Sequence, residues 1–196
     1  PDDIWAVKSA GIDPSNGKEL FYAKDGSYTY DFSYDDEVIC GNTRPDVEGV
    51  IGSSLNWKGF SVSLNFRYQM GADVFNEALY SKVENISRSD LNKNQDKRAL
   101  YERWQEEGDI VRFKNIASAE TTPMSSRFVQ EENVLTLESV YLGYEFYDGW
   151  IKKLGLSSLK FQVSMRDVFR ASTIRSERGI SYPFARSMEA GLSFNF

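Results

Sequence analysis

A long stretch of alternating side chains constrains this sequence more than any other feature. From Phe60 to Met70 the chain reads FSVSLNFRYQM, in which every second residue is apolar or aromatic and the residues between them are polar. Successive side chains of a β-strand point to opposite faces of a sheet. The period of two therefore predicts a strand with one apolar and one polar face.

The same alternation recurs towards the end of the chain and predicts an all-β fold with antiparallel strands. Aromatic residues make up 14% of the sequence, which suits the half-buried surface of a sheet. Lys58-Gly59 lies between Val50–Trp57 and Phe60–Met70 and predicts a tight hairpin that joins these two strands. We predict five strands: Val50–Trp57, Phe60–Met70, Val134–Phe146, Ser158–Val168 and Arg186–Phe196.

The length of these strands favours a transmembrane β-barrel over a soluble β domain. Strands of globular proteins typically have about 5 to 6 residues, whereas a strand that crosses a bilayer needs about 9 to 11. The sequence holds no run of about 18 apolar residues, so it predicts no membrane-spanning helix. The alternative is a soluble β-sandwich that binds glycans through aromatic loops.

The connections between strands alternate between short and long, as in outer-membrane barrels with short turns at one rim. In the long loop, Asn94–Glu107 predicts a short helix that ends before Gly108. Residues 171–186 form a second predicted outer loop. The chain is then one segment of a single barrel domain, with an outer loop and β-hairpin at 1–46, a strand hairpin at 47–70, a long outer loop at 71–133 and the last three strands at 134–196.

Charge and composition exclude several classes of function. The formal charge is −6 and the acidic residues are spread along the chain, so we expect no nucleic-acid partner. The sequence has no histidine, which removes the usual general base and imidazole metal ligand and argues against an enzyme. Cys40 is a single cysteine. We predict no cofactor, no metal site and no catalytic residue.

Six segments of the sequence follow one another in an order and spacing that are typical of one family. They are WAVKSAGIDPSNGKELFY, GNTRPDVEGVIGSSLNWKGFSVSLNFRYQMGADVFN, NQDKRALYERW, SSRFVQEENVLTLESVYLGYEF, LKFQVSMRDVF and RGISYPFARSMEAGLSFNF. In this order they resemble the C-terminal part of the barrel in SusC/RagA-type TonB-dependent transporters. The resemblance covers nearly the whole chain.

The resemblance implies a fold, a location and a set of partners. The fold is a 22-stranded plugged barrel in the cell outer membrane, to which this sequence contributes about five strands as a C-terminal fragment. The implied function is the import of a large solute such as an oligosaccharide or peptide. The implied partners are the rest of the barrel and its plug, a SusD-like surface lipoprotein, the TonB complex through an N-terminal region absent here, and the barrel-assembly machinery.

Three groups of residues are candidates for function. Tyr101 and Trp104 of the predicted loop helix could stack on sugar rings or, alternatively, pack the loop onto its neighbours. Phe196 resembles the terminal aromatic residue by which the assembly machinery recognises a barrel, although it could be an ordinary interfacial aromatic residue. The third group shares the polar, lumen-facing side of the strands and could contact the plug or the solute, or simply be solvated: Arg67, Gln69, Glu145, Lys160, Gln162 and Arg166.

Overall fold

The chain folds into two units, which are described separately below. The computed structural model describes residues 2–118, 120–147, 149–175 and 186–196. The unit called here the loop unit comprises, of these, residues 2–45, 72–132 and 174–175. The unit called the sheet unit comprises the described residues of 46–71, 133–173 and 186–196.

Two small antiparallel sheets form the first part of the loop unit. One pairs β1 (Asp3–Val7) with β5 (Glu37–Asn42), and the other joins β2 (Ser9–Ile12), β3 (Glu19–Tyr22) and β4 (Tyr28–Thr29) in that order. Aspartate side chains stabilise the turns of the second sheet. Asp13 accepts a hydrogen bond from the Ser15 amide (2.8 Å), and Asp25 accepts one from the Ser27 amide (2.9 Å). Residues 1–46 thus contain more strand pairing than the single predicted hairpin.

The helical segments of the loop unit are short. They are a π-helical turn at Leu79–Glu84, the helix α1 (Arg98–Tyr101) and single 3₁₀ turns at Tyr34–Asp36 and Ser126–Phe128. The predicted helix at Asn94–Glu107 is therefore wrong in its extent. It ends early because the amide of Trp104 donates to the carbonyl of Phe113 (3.0 Å) and so leaves the helical pattern.

A hydrophobic core holds the loop unit together. Its five members come from the π-helical turn, from α1 and from the segment that leads to the next strand, and are Leu79, Val83, Ala99, Phe113 and Phe128. The rings of Phe75 and Tyr80 pack against Phe128 with centroids 5.9 and 5.2 Å apart. Burial of these side chains is the main favourable term for folding of this unit.

The sheet unit is built on one antiparallel sheet in which strands adjacent in sequence are adjacent in space. The strands are β6 (Val47–Trp57), β7 (Phe60–Phe75), β8 (Val129–Phe146), β9 (Ser158–Ser172) and β10 (Ser187–Asn195). Their order in the sheet is β10-β9-β8-β7-β6. The short helix α2 (Trp150–Lys153) lies between β8 and β9 in the chain.

All five predicted strands are present, and four of them are longer than predicted. β6 begins three residues before Val50, β7 continues five residues past Met70, β8 begins five residues before Val134, and β9 continues four residues past Val168. The sequence prediction ended β7 at Met70, just before Gly71, which does adopt a φ of +79°. The strand nevertheless continues, because the side chain of Asn133 accepts a bond from the Gly71 amide (2.9 Å).

A β-bulge interrupts the pairing of β8 with β9. Leu137 lies opposite Phe169, but the next pair is Ser139 with Arg166. Asp167 in the irregular stretch adopts a φ of +52°. The predicted outer loop at 171–186 lies largely outside the described residues, which omit 176–185. In the described part of the chain, no helix has the length and apolar character needed to cross a membrane.

Candidate functional site

The six lumen-facing candidates of the sequence lie on one face of the sheet unit. Glu145 is opposite Lys160, Gln162 is opposite Gly143, and Arg166 is opposite Ser139, so these positions share a face of β8 and β9. The side chain of Asn65 donates to Ser139 Oγ (2.9 Å), which places the polar side of β7, with Arg67 and Gln69, on the same face.

Aromatic and aliphatic residues occupy the opposite face. Ile51 on β6 pairs with Phe66 on β7, and Val163 on β9 lies between Leu142 and Ala190. At the Lys58-Gly59 turn, Phe60 packs on Tyr144 with ring centroids 4.3 Å apart. The sheet is therefore divided by chemistry into a polar face and an apolar face along its whole width.

Hydrogen bonds on the polar face act both between β8 and β9 and at the end of β8. The hydroxyl of Tyr141 donates to Gln162 Oε1 (3.1 Å), and the ammonium of Lys160 lies 5.8 Å from the centre of the Tyr141 ring. The hydroxyl of Tyr147 donates to Glu145 Oε2 (2.9 Å). These bonds orient polar side chains that stay accessible from the same face.

A carboxylate that the sequence prediction missed completes the other end of the polar face. Arg67 Nε donates to Glu138 Oε1 at 2.5 Å. Strict alternation with Val140 would place Glu138 on the apolar face, and Glu138 lies at the bulge, between the pairs Leu137 with Phe169 and Ser139 with Arg166. The sequence signal was a charged residue out of phase with its strand. Gln69 has a second acidic neighbour in Glu48, at 3.4 Å.

The two candidate aromatic residues of the loop unit have different environments. The side chain of Tyr101 is exposed. Trp104 is half-buried, its indole N–H donates to the carbonyl of Pro14 (2.9 Å), and its ring lies so close to Gly17 that an added Cβ would be 2.5 Å from it. Trp104 therefore packs on the turn that contains Pro14 and Gly17, and the stacking of either residue on a sugar ring stays a prediction.

A buried ion cluster within the loop unit was not predicted. Arg127 Nη2 donates to Glu19 Oε2 and to Glu84 Oε1, each at 2.8 Å. Burial opposes the charged form of the guanidinium, but the hydrogen bonds and charges of Glu19 and then Glu84 outweigh it and raise the pKa of Arg127. Because Glu19 and Arg127 are 108 positions apart, no local spacing could have revealed the pair.

Phe196 follows the last residue of β10 and is 92% exposed. Within the described residues, no group of three or more Cys, Asp or Glu side chains is placed to hold a metal ion.

Comparison with known proteins finds relatives in sequence and in structure. No family model matches the sequence. Two curated TonB-dependent receptors of Formosa agariphila are 25% identical over 171 residues and 24% identical over 211 residues, and these matches cover 85% and 97% of this chain. The whole chain also superposes on solved structures of the RagAB peptide transporter and of the RagAB peptide importer in its open-open state, with TM-scores of 0.79 and 0.78 and identities of 21% and 20%.

The chain is similar in sequence to TonB-dependent receptors over most of its length, and it shares the fold of the RagA-type transporters. Its fold is that of the receptor β-barrel, which excludes the β-sandwich alternative, and its location is the outer membrane. The chain corresponds to 16% and 20% of the length of the two curated receptors and to 22% and 23% of the two solved chains. These relatives are named as receptors and transporters, and none is named as an enzyme.

Proposed function

We propose that this chain forms part of the wall and outer loops of a TonB-dependent receptor that imports a large solute, such as an oligosaccharide or a peptide, across the outer membrane. The observation that carries the proposal is the division of the five-stranded sheet into one polar and one apolar face. The solved neighbours are described as a peptide importer and transporter. The curated relatives are described as TonB-dependent receptors.

In this proposal the apolar face contacts lipid and the polar face lines the interior. Lipid cannot hydrogen-bond, so a barrel strand presents apolar side chains outward and polar side chains to the lumen. The six polar-face candidates then contact the plug or the solute. Charged and amide groups there can bind carboxylate, hydroxyl or peptide groups of a solute without the cost of complete burial.

The proposed partners follow the same division. The remainder of the barrel pairs with the outer edges of β6 and β10, because an unpaired strand edge in lipid leaves backbone groups unsatisfied at a cost of several kcal/mol each. The plug occupies the lumen. The loop unit faces outside and contacts a SusD-like surface lipoprotein. The TonB complex supplies energy through another part of the receptor. The barrel-assembly machinery recognises Phe196.

Solute uptake by cells tests the import function. Deletion of the receptor gene should abolish uptake of fluorescently labelled oligopeptides or oligosaccharides, and the intact gene should restore it. Dissipation of the proton gradient should also stop uptake, since the TonB complex draws on it. Unchanged uptake by the deletion strain, for every solute in a panel that supports growth of the parent strain, would contradict the proposal.

The role of the polar face needs its own variants. Lys160→Gln removes one charge from that face, and Lys152→Gln removes one from α2, outside the sheet. We expect the first substitution to reduce uptake at an unchanged receptor level and the second to have no effect. Equal uptake by the two variants and the wild type would remove Lys160 from the solute path.

A further inference from the structure

A cavity of about 440 Å³ lies inside the loop unit. It opens beside the π-helical turn and the segment that follows Phe113. Its wall combines basic groups with aliphatic ones, and the residues used below are Asn85, Arg88, Leu91, Arg103, Lys114 and Ile116. Charged residues in a partly enclosed cavity interact more strongly with a ligand than they would on an open surface.

Arg103 is a buried cation without a carboxylate partner. It is 5% exposed, and its guanidinium donates to the carbonyls of Ala99 (2.9 Å), Lys114 (2.9 Å) and Glu84 (3.2 Å). Among the described residues, no carboxylate oxygen lies within 4.0 Å of it. Burial lowers the pKa of Arg103, because removal from water disfavours its charged form more than the nearby charge of Glu84 favours it. Two of its five N–H groups remain available for a ligand.

Lys114 lines the same cavity in a similar situation. Its ammonium donates to Asn85 Oδ1 (3.3 Å) and to the carbonyl of Glu120. Both acceptors are neutral, and a third N–H remains. Burial lowers the pKa of Lys114 as well. Arg88, at the exposed edge of the cavity, forms no ion pair with any residue that the structure describes.

The acidic residues of the cavity do not balance these three cations. Glu84 lines the wall, and its Oε1 already accepts bonds from Arg127 and from Thr122, each at 2.8 Å. Glu84 Oε2 accepts from the backbone amide of Lys114 (3.4 Å), and the negative charge of Glu84 also acts on Arg103 and Lys114, so this one carboxylate is shared among several cations. Glu120 also lines the cavity and is exposed to solvent. The cavity therefore keeps an excess of positive charge in a chain whose overall charge is −6. Buried charges in proteins are normally paired, so this excess favours an anionic ligand.

We propose that this cavity binds a carboxylate group of the solute. Lys114 and Arg88 supply the charge, Arg103 supplies directed N–H groups, and the exposed aliphatic side chains of Leu91 and Ile116 contact the adjoining apolar part of the ligand. The inference deepens the proposed import function and rests on it, since it assigns a solute class to the loop unit. Acidic oligopeptides and oligosaccharides of uronic acids both carry this group.

Binding to the purified receptor in detergent tests the cavity without transport. The probes are triglutamate and trigalacturonate, each compared with a neutral counterpart of similar size, namely N-acetylated triglutamine amide and maltotriose. We expect titration calorimetry to show that at least one acidic probe binds about ten-fold more tightly than its neutral counterpart. This difference in affinity is the size expected when a ligand lacks one charge-assisted hydrogen bond. The acidic probe that binds identifies the source of the carboxylate.

Substitutions then locate the binding. Lys114→Met and Arg88→Gln should each weaken the acidic probe about ten-fold. Lys82→Met is the matched control, because Lys82 is exposed on the same π-helical turn but does not line the cavity. Arg88 is exposed, so its substitution leaves folding intact even if Lys114→Met does not. Equal affinity for acidic and neutral probes, or equal losses in Arg88→Gln and Lys82→Met, would overturn the inference.

The two proposals fail in different ways. If the receptor supports uptake but does not distinguish acidic from neutral probes, import stands and the carboxylate site is wrong. If the acidic probes bind and Arg88→Gln weakens them while the deletion strain still takes up every solute, the site stands and import through this receptor is wrong.

Discussion

The two units of this chain are stabilised in opposite ways. The loop unit buries its large apolar side chains, and both Val83 and Phe128 have no exposed surface. The sheet unit exposes them, with Ile51 60% and Leu192 59% accessible. Both units are rich in strands, so the difference lies in where the apolar side chains point and not in the type of secondary structure.

This difference shows which surroundings each unit requires. Apolar side chains are driven out of water into a core or into another apolar phase. The loop unit supplies that core itself. The sheet unit has an apolar face with few buried side chains, and its strands need lipid on that face and hydrogen-bonded neighbours at both edges. One chain thus combines a loop unit that contains its own core with a sheet unit whose apolar face depends on contact with lipid.

The largest effect is expected from a core substitution in the loop unit. Phe128→Ala removes a fully buried ring and should lower the free energy of local unfolding by about 3–5 kcal/mol. Amide hydrogen exchange of the receptor measures this energy for the loop unit. Met124→Ala, at an exposed side chain in the same unit, is the control and should change it by less than about 0.5 kcal/mol. Similar losses in both variants would show that the loop unit has no core of its own.

A smaller effect should distinguish the two faces of the sheet. Val163→Lys places a charge at the centre of the apolar face and should destabilise the folded barrel by about 2–4 kcal/mol. The neighbouring Ser164→Lys places the same charge on the polar face and should be tolerated. Denaturant titration of the receptor in lipid vesicles measures both. A greater loss for Ser164→Lys would reverse the assignment of the faces.

The smallest effect concerns the hairpin turn of the sheet unit. Gly59 has a φ of +89°, and a Cβ there would lie 2.6 Å from the carbonyl oxygen of Glu145. Gly59→Ala should therefore cost about 2 kcal/mol by denaturant titration. Gly26→Ala in the loop unit has the same sign of φ but open space around it, so it isolates the backbone strain. If the two substitutions cost the same, the turn does not pack on β8 as described.

The strands could be predicted because their pattern is local. In Phe60–Met70 the polarity of each side chain indicates the face of the sheet on which it lies, and the same rule applies to β9 and β10. The ends could not be predicted, since they depend on contacts such as Asn133 with Gly71 that join distant positions. The shared polar face of Arg67 and Lys160 also followed from alternation once the strands were adjacent.

The loop unit was largely beyond sequence reasoning for a physical reason. Trp104 lies near aromatic and aliphatic residues at a helical spacing, but a bond to Pro14, 90 positions away, decides its role. Arg103 and Arg127 resemble ordinary surface arginines in the sequence. Only the fold reveals that one is buried among carbonyls and the other between two carboxylates.

The pairing of Glu19 with Arg127 also sets an order for the folding of this chain. Strands β6 and β7 lie between these two residues in the chain, so residues 2–45 of the loop unit are synthesised before that hairpin and residues 72–132 after it. All five core residues and Arg127 follow the hairpin, so residues 2–45 have neither the core nor the ion-pair partner of Glu19 on their own. Completion of the loop unit therefore has to wait until the chain has passed through the β6–β7 hairpin and returned, which makes a finished loop unit a marker of late assembly.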